Sequence, residues 1–158
     1  MPIAQTYEPI ATQTSNGSAS TITFSSIPST YTDLILVVRG AGSGGSVDTT
    51  LRFNSDSGSN YSRHYMYADS SSITRAVNVN MSQIGSGMNV VHHFMNYANT
   101  NMFKTVIGTY WQSSSIMLAQ ALLWRSTSAI NNIAISVVGS GQTFTNGSTF
   151  TLYGITAA

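Results

Sequence analysis

Residues 34–45 read LILVVRGAGSGG, and two folds compete for them. With glycines at Gly40, Gly42 and Gly45, the stretch can be a strand entering a dinucleotide-binding loop. There, glycines open a helix whose N-terminus cradles a pyrophosphate. It can equally be a buried strand running into a polar loop of an all-β chain. The next nine residues decide. SVDTTLRFN (46–54) alternates like a strand and holds no helical run. No strand–helix–strand unit is visible anywhere else, so GAGSGG is expected to be a hairpin loop and no cofactor is expected.

Working outward, most of the chain favours strands. DLILVVR (33–39) is apolar on both faces, as a central buried strand should be. TITF (21–24) places Ile22 and Phe24 on one side, and TLRF (50–53) places Leu51 with Phe53. YSRHYMY (61–67) puts Tyr61, Arg63, Tyr65 and Tyr67 on one face. NVVHHFMNY (89–97) and FKTVIGTYW (103–111) are rich in β-branched and aromatic residues. IAISVV (133–138) and FTLYGI (150–155) close the chain. IMLAQALLW (116–124) contains good helix formers, but alternation places Ile116, Leu118, Leu122 and Trp124 together, so it is assigned as a strand.

Turn signals separate these runs: SNGS, GAGSGG, SDSGSN, NTN, TNGS, and GSG at 85–87 and at 139–141. The expected fold is all-β: one antiparallel β-sandwich, jelly-roll-like, over residues 17–158. Residues 1–16 stand apart, with two prolines and no strong period. They read either as an irregular first strand or as an N-terminal arm that contacts a partner through Ile3, Tyr7, Glu8 and Ile10.

Composition excludes more than it suggests. Only 7% of the 158 residues are charged and the formal net charge is +1, against about 25% charged in an ordinary domain. The six basic residues, Arg39, Arg52, Arg63, Arg75, Lys104 and Arg125, are scattered singly. Nucleic-acid binding and a polybasic membrane patch both require clusters, so neither is expected. There is no cysteine, which removes disulfides and thiolate chemistry. The opening MPIAQTYEPIATQ has neither a basic nor an apolar signal region, and no apolar run approaches the ~20 residues of a membrane helix.

Catalysis and metal binding lack their constellations. The acids Glu8, Asp33, Asp48, Asp56 and Asp69 form no recognisable pair, and there is no G-x-S-x-G elbow. NSDSGSN (54–60) has one acid where a calcium loop needs several. His92 and His93 are adjacent, so on a strand they point to opposite faces and do not converge on an ion. No catalytic, cofactor or metal residues are therefore assigned. Aromatic residues could stack on a sugar, and Arg63, Tyr65 and Tyr67, which share a face, are the candidate exposed patch for a glycan.

Two stretches carry a resemblance. ITFSSIPSTYTDLILVVRG (22–40) leads into LRFNSDSGSNYS (51–62), and FTNGSTFTLYGITAA (144–158) ends the chain, with MNYANT (95–100) and FKT (103–105) between them. This set resembles small virion structural proteins and fibre-type β-sandwich domains of tailed bacteriophages, common among phages of cyanobacteria and other aquatic hosts. The resemblance implies a β-sandwich, no enzymatic activity and a place in the virion. The expected role is capsid decoration, as a cement protein on the coat-protein lattice. The alternative is a tail-fibre or baseplate domain recognising a host surface glycan. Expected partners are phage coat protein or other virion proteins and further copies of the chain, as a trimer or dimer. The protein would be made in the host cytoplasm without a signal peptide. The motif residues themselves read as fold determinants: Ile27-Pro28 fixes an extended entry, and Asn54, Asp56 and Gly58 suit a tight turn.

Overall fold

A computed structural model describes residues 6–40, 47–68, 73–78, 82–84, 88–112 and 116–156. Among the described residues there is no helix, and two antiparallel sheets pack against each other as a β-sandwich. The strands are β1 (Tyr7–Thr14), β2 (Thr21–Phe24), β3 (Asp33–Gly40), β4 (Val47–Phe53), β5 (Tyr61–Ala68) and β6 (Ile73–Asn78). Then come β7 (Ser82–Ile84), β8 (Met88–Met95), β9 (Lys104–Gln112), β10 (Ile116–Trp124), β11 (Ile133–Val137) and β12 (Thr149–Ile155).

The large sheet runs β1-β12-β3-β8-β9-β10-β5-β6 and the small one β2-β11-β4-β7. Strand pairs consecutive in sequence, β1/β2, β3/β4, β7/β8 and β11/β12, split between the two sheets. The resulting quartets, β1-β12-β3-β8 over β2-β11-β4-β7, have the strand order of a jelly roll. The strands β9, β10, β5 and β6 are additions that widen one sheet beyond β8.

Alternation builds the core. Leu34, Leu36 and Val38 of β3 point inward, and across the register they meet Phe94, His92 and Val90 of β8. From the small sheet Ile22, Phe24, Leu51, Phe53, Ile133 and Ile135 close over them, all buried. Phe53 is the hub of an aromatic cluster, with ring centroids 5.8 Å from Tyr61, 5.7 Å from Phe94 and 5.5 Å from Trp124.

One end of the sandwich is stitched by the loop residues that the sequence marks as turns. Asn54 adopts a left-handed backbone (φ 51). Its amide donates to the Ala129 carbonyl (2.7 Å) and accepts from the Asn131 and Asn132 N–H groups (2.9 and 3.2 Å). The Asp56 carboxylate accepts from Trp124 Nε1 (2.7 Å), Asn60 Nδ2 (2.9 Å) and the Gly58 N–H (2.8 Å). These bonds, that of Trp124 foremost, hold its carboxyl below the usual range. Tyr97 donates its hydroxyl to the Pro28 carbonyl. Buried Lys104 donates to the carbonyls of Met102 (2.8 Å) and Thr127 (3.1 Å).

Two expectations differ from the structure. GAGSGG is not a hairpin: it joins β3 of the large sheet to β4 of the small one, and residues 41–46 lie outside the described residues. Strands β6 and β7 were not expected from residues 73–84. Both are edge strands, whose polar composition carries little period. Within residues 1–16, Tyr7–Thr14 forms a strand, paired with β12 from Tyr7↔Ile155 to Thr14↔Thr149 with a bulge between Pro9 and Ala11. A proline, a bulge and the carboxylate of Glu8 on one edge are devices that blunt edge-to-edge pairing.

Gly154 is required by close approach. A methyl there would overlap the ring of Tyr31, which lies directly over the strand. Gly154→Ala is expected to destabilise the protein by about 1–3 kcal/mol through overpacking, read as a lowered denaturant midpoint with an unchanged slope. An unaltered midpoint would contradict that packing.

Candidate functional site

Two places in the structure depart from an ordinary sandwich. The first is interior. On β8 and the added strands the inward row runs His92 (β8), Gly108 (β9), Gln120 (β10), Tyr65 (β5) across the register. The side chains of His92, Gln120 and the neighbouring Arg63 are 2%, 4% and 3% exposed. His92 Nδ1, Arg63 Nε and both amide atoms of Gln120 have no hydrogen-bond partner among the described residues. Burial, and then the nearby Arg63 charge, push His92 down to about 4. Burial pushes Tyr110 up to about 12. Gly108 makes room for this row: a methyl on it would overlap the His92 ring.

This geometry corrects the expected glycan patch. Tyr61 is anchored in the core at 1% exposure, which fixes the parity of β5. Arg63 and Tyr65 must then also face inward, where the Arg63 guanidinium stacks over the Tyr65 ring at 4.0 Å. They do not form an exposed patch. The Tyr67 side chain lies outside the described residues.

The second departure is the outer face of the same strands. Trp111, Met117, Met66, Ile107 and Val91 are 66%, 59%, 53%, 48% and 39% exposed. All five point away from the core, by parity with buried neighbours Tyr110, Leu118, Val106 and Val90 and with the half-buried Tyr65, which packs against the core. The register joins them. One row runs Met66, Ala119, Thr109, Val91, and the next runs Ala68, Met117, Trp111, Asn89. A third runs His64, Ala121, Ile107, His93. None of the outward side chains of β5, β10, β9 and β8 is Asp, Glu, Lys or Arg. At the border His93 Nε2 pairs with Asp33 Oδ2 at 2.8 Å, and Asp33 Oδ1 accepts the Asn96 N–H at 2.7 Å.

The expected arm residues fall elsewhere. Tyr7 is 56% exposed at the start of edge strand β1. Glu8 is exposed next to it and engages Tyr31, Ile10 is half-buried at the bulge, and Ile3 lies outside the described residues. Among the described residues no group of three or more His, Asp or Glu could hold a metal. No protein-family model and no curated protein matches the chain.

The five outward apolar residues went unassigned in the sequence, although a signal was there. FKTVIGTYW and IMLAQALLW are apolar at both odd and even positions, the pattern of strands covered on both faces. One cover is the core. The other is not among the described residues of the chain.

The interior row has a measurable consequence. His92 titrates near 6.5 when unfolded and about 4 when folded. The unfolded state therefore binds more protons between these values, and stability rises with pH across that window. On the order of 3 kcal/mol present above pH ~6.5 is lost as pH falls to ~4. His92→Leu should flatten this part of the pH–stability curve, measured by urea unfolding at each pH. A variant with the wild-type slope would contradict the buried neutral imidazole.

Proposed function

We propose that the protein is a non-enzymatic structural protein of a bacteriophage virion, acting as a capsid decoration protein on the outer coat-protein lattice. The observation that carries the reading is the apolar, charge-free outer face built by β8, β9, β10 and β5. Contiguous exposed apolar surface of this kind marks protein association in a soluble chain. Charge is scarce throughout, which lowers the desolvation cost of packing against neighbours. Jelly rolls recur in viral capsid domains and also in lectins, so the fold permits the role without fixing it.

The sequence resemblance to virion proteins points the same way. Its motif residues are occupied in holding loops: Asn54, Asp56, Tyr97 and Lys104 all bond within the chain. Contact with coat protein then falls to other surfaces, of which the start of β1, with exposed Tyr7 and Glu8, is the expected one. On a lattice, many repeated weak contacts add up to firm attachment.

A tail-fibre or baseplate role in glycan recognition has one observation in its favour. Trp111 stands 66% exposed with Asn89 as its register neighbour, an aromatic platform beside an amide. The two roles differ in stoichiometry. Quantitative mass spectrometry of purified virions is expected to find this chain at a copy number comparable to the major coat protein. A small fraction of the coat count would overturn the decoration role in favour of the tail, and absence from virions would overturn both.

A further inference from the structure

We infer that the occupant of the outer sheet face is a second copy of this chain, docked sheet-on-sheet through β9 and β10. The inference does not depend on the particle role, because it concerns what the isolated protein does in solution.

Three observations carry it. The first is extent. Across β5, β10, β9, β8, β3 and β12 the outer face continues through Val37 and Ile35 to Tyr153 without interruption of the register. Six strands about 4.8 Å apart and about seven residues long span roughly 700 Å² in projection. Specific interfaces take about 800 Å² from each partner, so the face is of the right size for one partner domain.

The second is charge. The outward Asp, Glu, Lys and Arg side chains of the six strands are confined to the two ends of β3, Asp33, which pairs with His93, and Arg39, so the β5–β10–β9 part of the face is neutral and complementary to itself. A two-fold interface needs that self-complementarity, since each patch meets its own copy.

The third is relief. Small residues, Ala119, Ala121 and Thr109, form low ground on β10 and β9, and bulky ones, Trp111, Met117 and Met66, stand around them. A two-fold axis through these small residues lets the bulky side chains of one copy close over the low ground of the other. Two sheets packed this way sit about 10 Å apart with interleaved side chains.

The test is sedimentation equilibrium of the purified full chain from about 1 to 100 µM, with Met117→Lys, Ala121→Arg and the off-face control Met102→Lys. The wild type and the control are expected to sediment as an oligomer that dissociates only on dilution. Each on-face variant is expected to raise the dissociation constant at least 100-fold while keeping the wild-type circular dichroism. A wild type that is monomeric throughout the range would overturn the inference. So would an oligomer that both folded on-face variants leave intact. If both on-face variants misfold, the wild-type oligomer is probed by mass-spectrometric cross-linking between copies. Links within the β9–β10 region of two copies support the inference, and links confined to other surfaces overturn it.

Discussion

The two-residue alternation of the large sheet is the constraint on which everything else rests. A strand cannot turn one side chain inward without turning the next outward. Tyr110 and Val106 of β9, and Leu118, Leu122 and Trp124 of β10, are needed in the core and are buried there. Their neighbours Trp111, Ile107 and Met117 are therefore committed to the outer face, whatever the solvent cost. The same rule sends Arg63, Tyr65 and Gln120 inward with Tyr61 and Leu118, where they form the polar row. An apolar outside and a polar inside are two results of one parity.

The jelly-roll quartets and the four added strands divide the labour. β3, β8 and β12 with the small sheet supply most of the aliphatic core. The additions, together with β8, supply both departures from an ordinary sandwich, the buried row at His92 and Gln120 and the exposed apolar face. The end loops make the additions possible. Asp56 ties the turn before β5 to Trp124 at the end of β10. Lys104 ties the start of β9 to the loop after β10 through the Thr127 carbonyl. With so few charged groups in the chain, these bonds to carbonyl, amide and indole groups do the work that salt bridges do elsewhere.

Much of the fold was legible from the sequence because its core strands carry strong signals. DLILVVR, TITF and FTLYGI have either clear alternation or an apolar run bounded by turns. IMLAQALLW resolves as a strand since Leu118, Leu122 and Trp124 share the buried face. Edge strands β6 and β7 leave little trace in the sequence because an edge needs only one partner and tolerates polar residues. The direction of the Arg63–Tyr65 face is hidden in the sequence for a different reason. Alternation gives which residues share a face but not which face is inside, and an arginine invites the wrong choice. Only the packing of Tyr61 against Phe53 and Trp124 decides it.

The exposed face has its trace in the sequence, in the apolar odd and even positions of FKTVIGTYW and IMLAQALLW, but a strand apolar on both sides reads as core until its second cover is sought. The most direct measurement of that cover uses the methionines as reporters, through oxidation and then mass spectrometry. In a single chain Met117 and Met66 on the face, and Met102 in the β8–β9 loop, are similarly exposed at 59%, 53% and 49%. If the face is covered in the working protein, dilute peroxide should oxidise Met102 at least tenfold faster than Met117 and Met66. Equal rates at all three would mean that the face stays open to water, and would contradict the account.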